Sequence, residues 1–187
     1  MNRALFLDRD GTINYDPGFV TDPAQVTLLD GVGENLARIK NELGFMLIVV
    51  SNQSGISRGI MTRDQVDLVN ERVNQLLGAY GVSVDRFCYC PHHPLFSTPE
   101  EVQCRKPSPQ MILNAAQQES VSLADSYMIG DKQLDIEAGY HAGVRTILIK
   151  TGHGEATFSA LHNQKILPNF VAGNFSEVYQ IIQKELS

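Results

Sequence analysis

The sequence predicts an α/β protein built on one doubly wound, mostly parallel sheet. Strand-like and helix-like segments alternate along all 187 residues, and this alternation is typical of helices packed on both faces of a parallel sheet. The strand-like runs are short and almost continuously apolar, as expected when both faces of a sheet are buried. No internal repeat or composition break divides the chain. We therefore expect a single domain over residues 1–187.

Six strands and five helices are predicted from the apolar patterning. The strands are expected at 4–8, 45–51, 86–90, 126–131, 145–150 and 169–173. Amphipathic spacing predicts helices near 32–43, 63–80, 108–119, 132–142 and 175–186. Thr62 is expected to cap the second helix. The stretches 12–31 and 91–107 lack a regular pattern, and loops of that length are usually functional or disordered.

The composition argues against several classes of function. No apolar run reaches the roughly 18 residues of a membrane span, and the N-terminal segment lacks a secretory pattern. The net charge of −6, without a Lys/Arg cluster, argues against a nucleic-acid partner. The cysteines Cys88, Cys90 and Cys104 are odd in number and make a poor disulfide framework. We therefore expect a reducing compartment, namely the cytoplasm.

The segment RALFLDRDGTIN, residues 3–14, ends an apolar strand with two carboxylates and a glycine. An Asp-x-Asp pair alone is common in solvated loops. Here Gly11 and Thr12 follow Asp8 and Asp10, so the chain can turn sharply and bring backbone N–H groups to an anion. An aspartate is a competent nucleophile toward phosphorus, and a second carboxylic acid can protonate the leaving oxygen.

Polar side chains also lie after the second strand and before the third helix. Ser51 and Asn52 end the run VVSN, where a hydroxyl and backbone amides could hold phosphate oxygens, although such residues often serve only in turns. Lys106 stands in CRKPSP. An isolated Arg-Lys pair is most often solvated, but a cation over an anion site would offset charge on a transferring phosphoryl group.

The fourth signal is MIGDKQLDIEAG, where Asp131 ends an apolar strand and Asp135 follows one helical turn later. The carboxyl ends of parallel strands share one edge of the sheet, so we expect Asp131 to meet Asp8 there. Converging carboxylates repel each other unless a divalent cation lies among them. Oxygen ligands of this kind select Mg²⁺, and the sequence therefore predicts a magnesium-dependent phosphoryl-transfer site.

In this order, the four motifs resemble those of the haloacid dehalogenase superfamily of phosphotransferases. The signature of that superfamily is DxDGT, a Ser or Thr after the second strand, a Lys, and an acidic GDxxxD. The resemblance covers nearly the whole chain and implies a Rossmann-like haloacid dehalogenase fold. Many members insert a cap domain, but the intervals from Asp8 to Ser51 and from Lys106 to Asp131 leave no room for one. We therefore expect no cap.

The resemblance implies a chemical role for each aspartate. Asp8 would be the nucleophile that forms an aspartyl phosphate. Asp10 would protonate the leaving oxygen and then activate the water that hydrolyses this intermediate. Mg²⁺ would be held by Asp8, the backbone carbonyl of Asp10 and Asp131. Asp135 would support these residues from behind.

The resemblance also implies which residues meet the substrate. Ser51 and Lys106 would complete the catalytic set and steady the phosphoryl oxygens. The other residues that match substrate-contacting positions are Asp16, Pro17, Gly18, Phe19, Asn52, Gln53, Ser54, Arg105 and Lys132.

Within the superfamily, NQSGISRG and CPHHP are similar to segments of phosphatases that remove the 7-phosphate of a heptose 1,7-bisphosphate during lipopolysaccharide core synthesis. Histidinol-phosphate phosphatases share DRDGT and CRKP, so that activity, or another sugar-phosphate phosphatase, stays open. A non-catalytic phosphate-binding module is a further alternative. In each case the partner is a small phosphorylated molecule. We expect neither a nucleic acid nor a membrane as partner, and we expect a monomer.

The loop before Lys106 departs from the family pattern. Relatives often bind structural zinc there through Cys, His, Cys and Cys, and Cys90, His92 and Cys104 match three of these positions. The fourth position holds Val102, which cannot bind a metal, whereas closed zinc sites are almost always four-coordinate. Because three thiols and two histidines cluster here, the sequence slightly favours a zinc site over a zinc-free loop.

Overall fold

The computed structural model describes residues 1–187, and one sheet with helices on both faces organises the chain. The strands are β1 (Arg3–Leu7), β2 (Phe45–Asn52), β3 (Arg86–Cys90), β4 (Tyr127–Gly130), β5 (Arg145–Ile149) and β6 (Phe170–Ala172). They pair in the order β3-β2-β1-β4-β5-β6, and every pairing is parallel. The predicted doubly wound parallel sheet is confirmed.

Six helices accompany the sheet. They are α1 (Val32–Leu43), α2 (Arg63–Gly78), α3 (Gln110–Gln118), α4 (Gln133–Ala142), α5 (Gly154–Ser159) and α6 (Phe175–Glu185). The sequence predicted all of them except α5, which is too short to show helical periodicity. The two long irregular stretches contain only the short 3-10 helices Pro23–Gln25 and Glu101–Cys104.

The core has two layers because each strand is apolar on both faces. In β1, Leu5 and Leu7 face a larger cluster that includes residues of α1, α2 and α6. Ala4 and Phe6 face a smaller cluster that includes residues of α3 and α4. The burial of both faces, expected from the continuous apolar runs, is present in every central strand.

Helix α2 begins with the predicted cap. The hydroxyl of Thr62 accepts a hydrogen bond from the backbone N–H of Gln65 at 3.2 Å, and the side chain of Gln65 accepts one from the N–H of Thr62 at 2.9 Å. This reciprocal pair satisfies N–H groups that have no partner within the helix. It fixes where α2 starts and so where its later residues face the sheet.

The chain changes direction across the sheet at β1. Strands β2 and β3 lie on one side of β1, and β4, β5 and β6 lie on the other. Such a switch point leaves a crevice beyond the carboxyl ends of β1 and β4, where ligands bind in sheets of this type. As expected, no cap domain interrupts the connections on either side. None of the helices combines the length and apolar character that crossing a membrane requires.

A core substitution tests whether this sheet carries the stability of the fold. Leu47 in β2 is 0% exposed, whereas Leu95 in the loop after β3 is 82% exposed. We expect Leu47→Ala to lower the free energy of unfolding by about 3 kcal/mol, because it leaves a cavity in a packed layer. The control Leu95→Ala should change it by less than about 0.5 kcal/mol. Urea unfolding measures both, and equal losses would contradict the packing described.

Candidate active site

The centre of the crevice is a buried ion cluster around Lys106. Asp8 follows β1, and its backbone N–H donates to the carbonyl of Ile129, which extends the pairing of β1 with β4. The ammonium of Lys106 lies 2.8 Å from Oδ1 of Asp8 and 2.6 Å from Oδ1 of Asp135. It also donates to the carbonyl of Val50 at 2.7 Å. The ammonium therefore has two hydrogen-bond acceptors, Asp8 and Val50, and Asp135 as a second anionic neighbour.

Burial and charge act in opposite directions on this cluster. Burial raises the pKa of Asp8 to about 6, although the neighbouring Lys106 partly opposes the rise. Burial also disfavours the charged form of Lys106, but Asp135 and Asp8 outweigh it and raise the pKa of the amine. Lys106 is therefore a permanent cation. Further positive charge near Asp8 would lower this pKa and favour the ionised form.

Asp131 supplies an unsatisfied oxygen beside Asp8. Its Oδ2 accepts a hydrogen bond from the backbone N–H of His153 at 2.8 Å, whereas its buried Oδ1 has no hydrogen-bond partner. Burial and the charge of Asp8 raise the pKa of Asp131. Asp8, Asp131 and Asp135 place one carboxylate oxygen each within 4.8 Å of one another. Buried oxygens that converge in this way fit a hard divalent cation.

Lys132 approaches the same oxygens. Its ammonium lies 3.6 Å from Oδ1 of Asp131 and 4.0 Å from Oδ2 of Asp8, and it reaches the backbone carbonyl of Asp10 at 3.4 Å. Although burial acts against its charge, the surrounding carboxylates raise the pKa of Lys132. These oxygens belong to the three residues that the family resemblance assigned to Mg²⁺. Of the three converging carboxylates, Asp135 is the one engaged elsewhere, because one oxygen pairs with Lys106 and the other accepts from the backbone N–H of Lys132. The fit to a cation therefore depends on Asp8 and Asp131.

Two glycines let the chain close around Asp131. Gly11 has φ of 87° and Gly152 has φ of 52°, a region that side-chain-bearing residues rarely adopt. A Cβ atom would lie 2.4 Å from Oδ2 of Asp131 at Gly11 and 2.5 Å from it at Gly152. The glycine of DRDGT is therefore required by the close approach of Asp131 as well as by the turn.

Asp10 occupies the pocket wall in a different environment. Arg9 donates to both of its carboxylate oxygens, at 3.0 and 2.8 Å. Asn14 donates to Oδ1 at 3.0 Å, and Gln53 donates to Oδ2 at 2.9 Å. Burial alone would raise the pKa of Asp10, but the Arg9 guanidinium and these hydrogen bonds outweigh it and hold the pKa below its usual range.

Most of the predicted site residues line one pocket of about 100 Å³. Those that do are Asp8, Asp10, Asp16, Gly18, Phe19, Ser51, Asn52, Gln53, Lys106 and Lys132. Pro17, Ser54 and Arg105 do not line it. Ser54 is buried, and its backbone carbonyl accepts a hydrogen bond from the backbone N–H of Arg58. The guanidinium of Arg105 donates to the backbone carbonyl of His92.

The sequence reasoning missed several residues that shape the site. Leu134 lines the pocket, the backbone of His153 holds Asp131, and Arg9 and Asn70 form a buried pair at 2.9 Å. Arg9 carried a usable signal, because a charged residue between two aspartates at a buried strand end needs a partner. Asn70 gave no such signal, since an asparagine in an amphipathic helix is expected to face solvent.

The cysteine loop requires a correction. Cys90 and Cys104 form a disulfide with their Cα atoms 5.5 Å apart, although the cysteine count predicted none. The loop after β3 folds back to bring these residues together, and their sequence spacing does not show this. Sulfur atoms bonded to each other are not thiolate ligands, and Nδ1 of His92 pairs with Ser97 at 2.9 Å. The residues present do not fit the predicted zinc ion, and Cys88 stays free.

Comparison with known proteins agrees with this geometry. A family model described as HAD-hydrolase-like matches residues 103–178. The D-glycero-D-manno-heptose-1,7-bisphosphate 7-phosphatase of Chlorobaculum tepidum is 41% identical to this chain, over 96% of the chain and 92% of the relative. The chain belongs to this family of HAD-like phosphatases. The superfamily resemblance drawn from the four motifs is thereby confirmed.

Other members of the family match closely in sequence and in structure. The D-glycero-beta-D-manno-heptose-1,7-bisphosphate 7-phosphatase of Escherichia coli K12 is 44% identical over 80% of each chain. The crystal structure of the D,D-heptose 1,7-bisphosphate phosphatase from B. bronchiseptica, complexed with magnesium and phosphate, superposes with a TM-score of 0.87 at 28% identity and covers 98% of this chain and 99% of its own. The Burkholderia thailandensis enzyme gives 0.70 at 26% identity, covering 100% and 99%.

The raised pKa of Asp8 predicts a pH-dependent effect of Asp8→Asn on stability. Ionising Asp8 is harder in the folded than in the unfolded protein, so the metal-free wild type loses stability as pH rises between 3.8 and about 6. The variant has no ionisable group at this position, so it does not lose this stability as pH rises. At pH 8 without metal we expect Asp8→Asn to be more stable by about 1–3 kcal/mol, with little of that gain at pH 4.

Urea unfolding in a chelating buffer at both pH values measures this difference. Saturating Mg²⁺ should reverse the order at pH 8, because the variant has lost a proposed metal ligand and only the wild type gains full binding energy. A difference in unfolding free energy that stays constant from pH 4 to pH 8 would contradict the environment described for Asp8.

Proposed function

We propose that the protein is a Mg²⁺-dependent phosphatase that removes the 7-phosphate of D-glycero-D-manno-heptose 1,7-bisphosphate. The observation that carries the proposal is full-length similarity to heptose bisphosphate phosphatases, combined with one pocket that gathers Asp8, Asp10, Ser51 and Lys106. In this role the protein would act in ADP-heptose synthesis for the lipopolysaccharide core.

The first step is attack by a carboxylate oxygen of Asp8 on phosphorus. The bond from phosphorus to the sugar oxygen breaks as the aspartyl phosphate forms. Lys106 orients Asp8 from one side at 2.8 Å and, as a permanent cation, offsets charge on the transferring group. Ser51 lies on the pocket wall, and we assign its hydroxyl the binding of a phosphoryl oxygen.

Asp10 handles the proton in both steps. As a carboxylic acid it gives its proton to the departing sugar oxygen, and as a carboxylate it then takes a proton from the water that attacks the aspartyl phosphate. The surroundings of Asp10 favour the carboxylate in the free protein. A phosphoryl dianion that enters the pocket brings negative charge beside Asp10, which raises its pKa and favours the acid form needed first.

The charge of the substrate is met by cations in the pocket. Lys106 and Lys132 both line it. Mg²⁺ held by Asp8, Asp131 and the carbonyl of Asp10 would neutralise further charge on the phosphoryl oxygens. Lys132 approaches the same oxygens, so we propose that its ammonium turns toward the substrate when the metal binds. Asp135 keeps Lys106 in place throughout.

The shape of the site limits which part of the substrate is enclosed. A pocket of about 100 Å³ encloses the phosphoryl group and leaves the sugar at the mouth. Asp16, Gly18, Phe19 and Leu134 are among the residues that line the pocket, and we propose that they contact the sugar. Pro17, Ser54 and Arg105 do not line the pocket, and their contact with the part of the sugar that lies outside it stays a prediction. The monomeric state and the cytoplasmic location stay predictions.

Phosphate release from defined substrates tests the proposal. With Mg²⁺ present, we expect fast release from one anomer of heptose 1,7-bisphosphate and slow release from histidinol phosphate. Asp8→Asn should release no measurable phosphate, because the nucleophile is gone, while Asp30→Asn, an exposed aspartate in the loop before α1, should keep wild-type activity.

Each contrary result removes a different part of the proposal. Faster release from histidinol phosphate would overturn the heptose assignment and leave phosphatase chemistry intact. Substantial activity in Asp8→Asn would overturn the nucleophile. Phosphate binding without release from any substrate would favour the non-catalytic module.

A further inference from the structure

Arg9 is a buried cation that does not face the pocket. Its side chain is 1% exposed, and it does not line the pocket. Burial of a charge is costly unless the charge is paired, and the one acidic side chain that pairs with Arg9 is Asp10. The guanidinium is therefore not placed to bind a substrate directly, and its partner Asp10 is a residue that lines the pocket.

The contact between Arg9 and Asp10 fixes the plane of the carboxylate. Nε of Arg9 lies 3.0 Å from Oδ1 of Asp10, and Nη2 lies 2.8 Å from Oδ2. A two-pronged contact of this kind sets an orientation, which a single ammonium group cannot do. The remaining polar contact of the guanidinium runs from Nη1 to Oδ1 of Asn70, at 2.9 Å.

Asn70 belongs to a part of the fold that otherwise serves the core. It lies in the middle of α2 and is 6% exposed, beside Val69 and Val73, which pack in the larger cluster. Oδ1 of Asn70 accepts from Nη1, on the side of the guanidinium that does not bind Asp10. Asn70 therefore fixes the guanidinium from the side away from the carboxylate. The position of the Asp10 carboxylate is thus tied to the position of α2.

The four hydrogen bonds of Asp10 are not equivalent. Each oxygen accepts two bonds, one from Arg9 and one from a neutral amide. Charge-assisted bonds are roughly twice as strong as neutral ones, so the amides leave first when another group needs a carboxylate oxygen. Of the two amides, Gln53 lines the pocket and has a second partner available in Ser51 Oγ, at 2.8 Å.

We propose that Asn70 and Arg9 are positioning residues that hold Asp10 in its working orientation, and that the leaving oxygen or the attacking water replaces Gln53 at Oδ2 of Asp10. This inference rests on the proposed function, because it assigns Asp10 the proton transfers. A purely structural role for the Arg9–Asp10 pair makes a different prediction. In that case a change at Asn70 would slow all substrates to the same extent, whether or not the leaving oxygen needs a proton.

Variants of Asn70 separate the two roles. Asn70→Leu keeps the size of the side chain and removes the acceptor, whereas Asn70→Asp keeps an acceptor at the same position. Asn74 provides a matched control one helical turn later. It exchanges hydrogen bonds with the backbone of Val84, so Asn74→Leu should cost stability without reaching the pocket.

Two substrates report on the two steps. The phenolate of p-nitrophenyl phosphate leaves without a proton, whereas the sugar oxygen of heptose 1,7-bisphosphate needs one. With Mg²⁺, we expect Asn70→Leu to lower kcat/KM about tenfold for the heptose substrate and to change it by less than about twofold for p-nitrophenyl phosphate. With the aryl substrate, phosphoenzyme should accumulate during turnover, because the water lacks its base.

Asn70→Asp and Asn74→Leu should both keep the wild-type ratio of the two kcat/KM values and accumulate no phosphoenzyme. Equal losses on the two substrates in Asn70→Leu, or the same profile in Asn74→Leu, would overturn the positioning role. Wild-type activity on p-nitrophenyl phosphate alone would remove the heptose substrate, and phosphoenzyme accumulation would still decide the role of Asn70. Inactivity of the wild type on both substrates would overturn the proposed function and this inference together.

Discussion

The site depends on one buried ammonium group. Lys106 is 2% exposed and lies between Asp8 and Asp135, and it also binds the backbone at the end of β2. A charge at this depth persists only when every donor is paired. Lys106 therefore fixes the distance between the end of β1, the start of α4 and the loop before α3. The sheet brings these segments together, and the ion cluster sets their final geometry.

Around this cluster, the fold gives opposite environments to two aspartates separated by one residue. Asp8 faces inward, where burial raises its pKa to about 6. Asp10 faces the arginine between them, which holds its pKa low. Carboxyl groups whose environments push their pKa values apart are suited to different tasks. Here the difference separates a nucleophile whose ionised form is stabilised by nearby cations from a group whose surroundings favour the carboxylate in the free protein.

The sequence predicted those parts of the molecule that depend on local patterns. Continuous apolar runs predicted the strands, and the placement of Asp8, Ser51, Lys106 and Asp131 at strand ends or before a helix predicted that they meet. That argument depends on the rule that the carboxyl ends of parallel strands lie at one edge of the sheet. The four-motif resemblance then predicted the family, and the full-length relatives confirm it.

The features that the sequence did not predict depend on distant residues. The bond between Arg9 and Asn70 joins positions 61 apart, and nothing in the sequence indicates that Asn70 is the partner of Arg9. The Cys90–Cys104 disulfide depends on how an irregular loop folds back, which no periodicity describes. The absence of Arg105 from the pocket wall has the same origin. It lies beside the buried Lys106, but its side chain is directed to the carbonyl of His92 instead.

The central claim is that Asp8 accepts the phosphoryl group while Lys106 holds the Asp8 carboxylate in place. Reduction of the phosphorylated protein with borohydride during turnover, followed by peptide mass spectrometry, locates an aspartyl phosphate directly, because the reduction converts that aspartate to homoserine. The account predicts homoserine at position 8 and at no other aspartate. Modification of Asp10, Asp131 or Asp135 in its place would contradict it.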